Sequence, residues 1–129
     1  MTDTKPLPGS LLRWLPAVLW AAVIFAGSSV PGSSIPGGYS VYGHLSEYAV
    51  LATLVMLAER RRGLLFAALV AIAVCAVYGV TDELHQAFVP LRVPDPVDWM
   101  TDVAGACAGA AVFAGVSLLL ARGRVKTRQ

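Results

Sequence analysis

The chain has 129 residues, of which 57% are hydrophobic and only 14% are charged, and its mean hydropathy is +0.67. A soluble domain of this length would have too little polar surface to cover so large an apolar core, so the composition excludes an ordinary soluble protein and favours a membrane protein. The formal net charge is +2, and where the charges lie is more informative than their sum.

Four apolar stretches follow one another, near residues 11–28, 44–58, 63–87 and 97–120. A membrane-spanning helix needs about 20 mostly apolar residues, and three of these stretches meet or approach that length. They are continuous and do not alternate apolar with polar residues, which favours helices over a β-barrel. The sequence therefore predicts an all-α protein, with residues 1–129 forming a single domain built as a four-helix transmembrane bundle.

The first stretch has two interpretations. Lys5 and Arg13 precede its apolar core and the small residues Gly27-Ser28-Ser29 follow it, a pattern that resembles a signal peptide. We prefer an uncleaved first helix, because its removal would take a packing partner from the remaining three helices. The segment 28–40, rich in Gly, Ser and Pro, is then predicted to be a loop between the first two helices.

The basic residues predict the orientation of the bundle. Basic residues are retained on the cytoplasmic side of a membrane, so both termini are predicted to be cytoplasmic. The basic tail suits an anionic membrane surface, and no nucleic-acid partner is expected. Nine of the ten Lys and Arg residues lie at the chain ends or between the second and third stretches, namely Lys5, Arg13, Arg60, Arg61, Arg62, Arg122, Arg124, Lys126 and Arg128.

Polar residues gather at the opposite, predicted outer end of three helices. Helical spacing places His44, Glu47 and Tyr48 on one face of the second helix. Because successive helices alternate in direction, the polar residues of the third and fourth helices fall at the same depth. Ionisable residues in such helices usually face the interior or a water-filled cavity, so we expect one shared outer site. The candidate site residues are His44, Glu47, Tyr48, Asp82, Glu83, His85, Gln86, Arg92, Asp98 and Asp102.

Some of these residues also have a purely structural interpretation. Asp98 is a possible N-cap of the fourth helix, and Tyr48 and Trp99 are possible anchors at the membrane surface. Arg92 is the one basic side chain in the outer connections. It either forms an ion pair with Asp95 or Asp98, or binds a phosphate or carboxylate with its planar fork, for which Lys would be a poor substitute.

Two kinds of chemistry fit the candidate residues. His and carboxylate side chains can hold a divalent metal through nitrogen and oxygen, or they can act as an acid–base pair. Their spacing matches no defined metal motif, and no motif requires a cofactor. Cys75 and Cys107 are expected to be free apolar residues. Gly105 and Gly109, four residues apart, predict close helix packing, either within the bundle or between copies.

Three runs of this sequence resemble the VanZ-like membrane proteins. That family has a His before a Tyr-Ala-x-Leu helix, then Asp-Glu-x-x-Gln with a Phe and a Pro-x-Arg turn, and a final Asp that opens a Gly-x-x-x-Gly helix. The chain departs from the pattern at Leu91, where Gly is frequent, and at Asp102, where Asn is frequent. The matching runs are His44-Leu-Ser-Glu-Tyr-Ala-Val-Leu51, Thr81-Asp-Glu-Leu-His-Gln-Ala-Phe-Val-Pro-Leu-Arg92 and Asp98-Trp-Met-Thr-Asp-Val-Ala-Gly-Ala-Cys-Ala-Gly109.

The resemblance implies a multi-pass protein of the bacterial cytoplasmic membrane, surrounded by membrane lipids. The founding member is an accessory protein of glycopeptide-antibiotic resistance linked to teicoplanin, and no reaction is established for the family as a whole. Three functions remain open. The preferred one is binding of a lipid-linked cell-wall precursor or a lipoglycopeptide from the outer leaflet. The others are a small enzyme acting on a lipid phosphate and a structural subunit of a membrane complex. The oligomeric state remains open.

Overall fold

The computed structural model describes residues 9–34 and 39–126. Within these ranges the fold is entirely helical, with no strand, so the predicted all-α class is confirmed. A single helical turn at Gly9–Leu12 comes first, and two 3-10 turns lie at Gly32–Ser34 and Arg60–Arg62. The four longer helices are α1 (Leu15–Ser28), α2 (Tyr39–Glu59), α3 (Leu64–Gln86) and α4 (Pro96–Lys126).

Three segments of the described chain are long and apolar enough to cross a membrane: Val41–Arg62, Leu64–Gln86 and Pro96–Arg124. Helix α1 has only 14 residues, which gives it a length of about 21 Å. The hydrocarbon core of a bilayer is about 30 Å thick. Membrane-spanning length and composition are thus confirmed for α2, α3 and α4, and a span by α1 stays a prediction.

Helix α1 begins four residues later than the sequence predicts. The apolar stretch starts at Leu11, but the turn Gly9–Leu12 and α1 are separated at Arg13 and Trp14. Pro16 lies in the first turn of α1. Proline has no N–H to donate, and its ring clashes with the carbonyl four residues earlier, so a helix cannot continue smoothly through it. The proline therefore divides the first apolar stretch into two pieces.

Contacts between the helix ends show how the helices run. At the start of α1, the Trp14 indole donates to Glu59 Oε1 at the end of α2, over 3.0 Å. Beyond the end of α1, Ser29 Oγ lies 3.0 Å from His85 Nε2 near the end of α3. Successive helices are therefore antiparallel. We call the end of the bundle with Arg60–Arg62 the basic end, and the end with the starts of α2 and α4 the acidic end.

The core lies between α2, α3 and α4. The larger buried side chains come mainly from α2, and α3 and α4 meet them with small residues. Close approach through small residues is the usual way in which helices associate in lipid, where apolar exterior side chains face the acyl chains. The buried residues that these three helices contribute to the hydrophobic core are Tyr48, Leu51, Ala52, Val55, Met56, Ala67, Ala71, Cys75, Ala106 and Ala110.

Gly105 and Gly109 form the contact between α4 and α2. A Cβ atom at Gly105 would overlap the carbonyl oxygen of Leu45, and one at Gly109 would overlap that of Ala49. The two backbones are thus too close for any side chain at these positions. Of the two alternatives that the sequence leaves open, the structure shows the packing within the bundle. This contact also sets the rotation of α4, and with it the direction in which Asp102 points.

The two loops at the acidic end are joined to each other. The backbone N–H of Gly32 donates to the Pro90 carbonyl over 3.1 Å, and a Cβ at Gly32 would overlap the carbonyl of Leu91. Leu91 has a φ of 59°, in the left-handed region that favours glycine.

Candidate functional site

A buried histidine–carboxylate pair joins α2 to α4 at the acidic end. The Nδ1 atom of His44 lies 2.7 Å from Oδ1 of Asp102, and both side chains are buried. The other ring nitrogen, Nε2, lies 3.8 Å from Oδ2 of Asp98. Asp98 and Asp102 are one turn apart on α4, so they present their carboxylates on one face. A single imidazole therefore lies between two carboxylates.

The third helix contributes a second buried polar pair. The Nε2 atom of Gln86 donates to Oδ2 of Asp82 over 3.1 Å, as the spacing of four residues on one helix face allows. The two side chains are 1% and 3% exposed. The other carboxylate oxygen of Asp82 is also buried and makes no hydrogen bond with any described group. The Gln86 amide thus donates to only one of the two carboxylate oxygens of Asp82.

Glu83 connects α3 to the loop before α4. Its Oε2 accepts a hydrogen bond from the backbone N–H of Asp95 over 2.7 Å. In turn, Oδ1 of Asp95 accepts from the N–H of Val97 over 2.8 Å, at the start of α4. Asp95 is therefore the N-cap of α4. The interpretation of Asp98 as the cap is wrong, because the helix begins two residues before Asp98, at Pro96.

Glu47 and His85 lie at the edge of the site, against α1. Glu47 is half-buried, and its backbone carbonyl accepts the indole N–H of Trp20 over 2.9 Å. His85 is also half-buried, and its ring stacks on Phe25 with the ring centroids 4.2 Å apart. Both residues thus lie at the acidic end. His85, however, packs against α1 and not against the His44–Asp102 pair.

Arg92 holds the two loops of the acidic end together. Its Nε donates to the carbonyl of Val30 over 3.2 Å. The ion pair from Arg92 to Asp95 or Asp98 stays a prediction. Arg92 lies at the rim of the candidate site, outside its buried part.

Tyr48 is an interior residue and not a membrane-surface anchor, whereas Trp99 is half-buried. Tyr48 is fully buried, and its ring centroid lies 6.5 Å from that of His44. Its hydroxyl makes no hydrogen bond within the described chain. The indole N–H of Trp99 is directed inward and donates to the carbonyl of Ala76 on α3 over 3.0 Å. Tyr48 therefore forms the floor of the site beneath His44.

The buried part of the site contains more carboxyl groups than its own residues can pair. Three carboxylates each have one buried oxygen that no described group satisfies: Oδ1 of Asp82, Oε1 of Glu83 and Oδ2 of Asp102. Buried polar atoms are normally hydrogen-bonded, and buried charges normally have a partner. Among the buried side chains of the described ranges, His44 is the one basic group. We call His44, Asp82, Glu83 and Asp102 the acidic cluster.

One residue of the site was missed by sequence reasoning. A Cβ atom at Gly79 would lie 2.8 Å from Oδ2 of Asp102 and 3.1 Å from Cδ1 of Trp99. A side chain at this position would thus push into the unsatisfied oxygen of Asp102. The available signal was a glycine in an apolar helix, one turn before the acidic pair Asp82 and Glu83, where glycine would otherwise weaken the helix.

Two further features bear on what the site can bind. His44, Glu83 and Asp102 each offer one ligand atom, and these atoms lie within 4.8 Å of one another, so side-chain rotations could bring them to one metal ion. Glu83 also lines a groove of about 240 Å³ between the end of α3 and the start of α4. The other lining residues are mostly apolar: Val80, Leu84, Pro94, Asp95, Pro96 and Trp99.

Comparison with known proteins gives one match. The VanZ/LLP1 family model matches residues 13–120, a range that includes every candidate site residue. No curated protein and no solved structure matches the chain.

Proposed function

The chain belongs to the VanZ/LLP1 family, and we propose that it is an integral protein of the bacterial cytoplasmic membrane that binds a lipid-linked envelope component at the outer leaflet. The observation that carries this proposal is the acidic cluster, with three buried carboxylate oxygens that have no partner among the described residues. A polar network that only locked the helices together would satisfy its own atoms, because each unsatisfied buried group destabilises the fold. The unsatisfied oxygens therefore favour a ligand-binding role.

The groove beside Glu83 suits an amphiphilic ligand. Its walls are formed mostly by aliphatic, proline and tryptophan side chains, and Glu83, whose carboxylate is buried, is one of the lining residues. Ligand sites of this kind use apolar walls for affinity and a few polar groups for orientation. The groove lies where α3 ends and α4 begins, the level at which a lipid headgroup meets its acyl chains. A polar headgroup at Glu83 with its tail along the apolar wall fits this arrangement.

The basic end supports an orientation with the acidic cluster outside. Arg60–Arg62 form the turn between α2 and α3, and Arg122 and Arg124 lie near the end of α4. Because basic residues are retained in the cytoplasm, we propose that this end faces inward and that α1 completes four spans with both termini inside.

Labelling of single cysteines tests the orientation. In a background without Cys75 and Cys107, we expect Ser34→Cys to react with a membrane-impermeant maleimide in intact cells. Arg61→Cys should react only after the cells are permeabilised, because the proposed orientation places it in the cytoplasm. Labelling is measured by gel shift. The opposite pattern, with Arg61→Cys labelled in intact cells, would contradict the orientation.

Drug susceptibility tests the proposed ligand class. We expect raised expression in a Gram-positive host to reduce susceptibility to a lipid-tailed glycopeptide more than to one without a tail. An acyl chain adds membrane affinity of about 0.8 kcal/mol per buried CH₂ group, so the tailed drug accumulates at the depth of the site. The measurement is the inhibitory concentration of each drug with and without expression. If the inhibitory concentration of the tailed drug is the same with and without expression, the resistance role is excluded.

Two glutamates provide a matched pair of variants for this experiment. Glu83 and Glu59 each accept one hydrogen bond, from Asp95 N and from the Trp14 indole respectively, but they lie at opposite ends of the bundle. We expect Glu83→Gln to abolish the shift in susceptibility and Glu59→Gln to retain it, at equal expression. If both variants retain the shift, the acidic cluster is not responsible for it.

A second candidate function is hydrolysis of a lipid phosphate. The observation that favours it is the 2.7 Å contact between His44 and Asp102, since a carboxylate that orients an imidazole is a recurring acid–base arrangement. An enzyme would release phosphate from a lipid phosphate in vesicles, and His44→Gln would stop the release while lipid binding persists. A binding protein would release none.

A further inference from the structure

We propose that the acidic cluster binds one divalent transition-metal ion, zinc or manganese, through His44, Glu83 and Asp102. No sequence motif indicates such a site, because the three residues come from three different helices. The inference follows from three features of the cluster: its uncompensated charge, the geometry of its donor atoms and the chemistry of those atoms. It stands whether or not the protein binds a lipid.

The first feature is charge. Asp82, Glu83 and Asp102 are 3%, 8% and 0% exposed, and His44 is the one basic side chain buried with them in the described chain. Water molecules would satisfy the unpaired oxygens as hydrogen-bond acceptors, but they would not offset the charge. Burying several carboxylates near one another strongly disfavours their ionised form unless a cation is present. A divalent ion would supply the missing positive charge.

The second feature is geometry. One donor atom from each of His44, Glu83 and Asp102 lies within 4.8 Å of the others. Zinc binds nitrogen and oxygen ligands at about 2.0–2.2 Å in a tetrahedral arrangement, so two ligands of the same ion are about 3.3–3.6 Å apart. Side-chain rotations that move the donor atoms by about 1 Å would bring them to this separation. Gly79 keeps the space around Asp102 Oδ2 open, since a Cβ there would lie 2.8 Å from that oxygen.

The third feature is ligand chemistry. One imidazole nitrogen and two carboxylate oxygens form the mixed donor set that zinc and manganese accept, whereas calcium and magnesium favour oxygen alone. Glu83 and Asp102 each use one oxygen in the protein and have the other unsatisfied. The backbone N–H of Asp95 orients the Glu83 carboxylate, as the hydrogen-bond partners of metal ligands usually do. Three protein ligands also leave a coordination position for a ligand headgroup.

Metal titration of the full-length protein tests the proposal. The protein is purified in detergent, stripped with a chelator, and titrated with zinc or manganese chloride alone, with no lipid present. We expect one ion per chain and a rise in the unfolding temperature, because an ion that binds only the folded state stabilises it. Glu83→Gln and Asp102→Asn should each weaken binding by at least about tenfold. The control Glu59→Gln, at the basic end, should bind like the wild type.

Either of two titration results would overturn the proposal. One is the absence of saturable binding at one ion per chain by the wild type, in which case protons neutralise the cluster. The other is undiminished binding by both variants, which would place the ion elsewhere. X-ray absorption of the zinc-loaded wild type gives a readout that does not depend on variants folding. Nitrogen and oxygen ligands with one imidazole are expected, and sulfur ligation by Cys75 or Cys107 would also overturn the proposal. If the protein binds the metal but binds no lipid, the proposed function is refuted and the metal site is retained.

Discussion

Replacing His44 with alanine is expected to destabilise the protein by about 3–5 kcal/mol, as is typical when one partner of a buried charged pair is removed. The imidazole is the one basic group buried with Asp82, Glu83 and Asp102 in the described chain. Without it, Asp102 loses its 2.7 Å contact and the neighbouring carboxylates lose their nearest positive partner. The measurement is the free energy of unfolding in detergent, with circular dichroism used to monitor the unfolding.

The second histidine is a matched control for this change. His85 also contacts a partner, Ser29 Oγ at 3.0 Å, but it is only half-buried and lies against α1. We expect His85→Ala to cost no more than about 1 kcal/mol, the usual contribution of a hydrogen bond. Combining His44→Ala with Asp102→Asn should restore part of the loss, because the second change removes the charge left without a partner. Equal losses for the two histidine variants would show that the acidic cluster does not depend on His44.

Replacing Gly105 with leucine is expected to separate α2 from α4. Even a Cβ at this position would overlap the carbonyl oxygen of Leu45, and backbone atoms cannot move aside as a flexible side chain can. Overpacking of a close contact costs about 1–3 kcal/mol and more when the backbone must shift. We therefore expect the free energy of unfolding to fall by about 3 kcal/mol or more, because the backbone must shift. The His44–Asp102 pair should be lost with it. Thermal unfolding and the yield of folded protein measure this effect.

The same helix offers the control for this prediction. Gly115 lies on α4 with no atom within 4 Å of its Cβ position. We expect Gly115→Leu to be neutral or slightly stabilising, because leucine forms helices better than glycine does. If Gly105→Leu is tolerated as well as Gly115→Leu, then α4 does not pack on α2 through its glycines.

The sequence was sufficient to predict the helices, because continuous apolar stretches and the arginines beside them can be recognised without knowing which residues contact one another. It was weaker at the helix boundaries. Pro16 moves the start of α1 to Leu15, and α2 begins at Tyr39, five residues before the predicted start at residue 44. Both differences come from local features at helix ends, where apolar periodicity gives no signal.

The candidate residues at one end of the bundle were predictable, but their pairing was not. Helical spacing placed His44 with Glu47 on α2, whereas the structure pairs His44 with Asp102 on α4. That choice depends on how α4 is rotated against α2, which Gly105 and Gly109 determine by close contact. The sequence of each helix shows where its glycines and acidic residues lie, but it does not show the angle at which two helices pack.

The short first helix has a consequence for the lipid around the protein. The 14 residues of α1 cover about 21 Å, whereas α2 and α3 each exceed about 30 Å. A bilayer adapts to a short apolar surface by becoming locally thinner. Around this protein the thinning would be one-sided, so that headgroups and water sink toward Ser29, His85 and Arg92 while the opposite face keeps its full thickness. Such a protein would prefer thin regions of the membrane, and membrane thickness itself would then influence where in the envelope it accumulates.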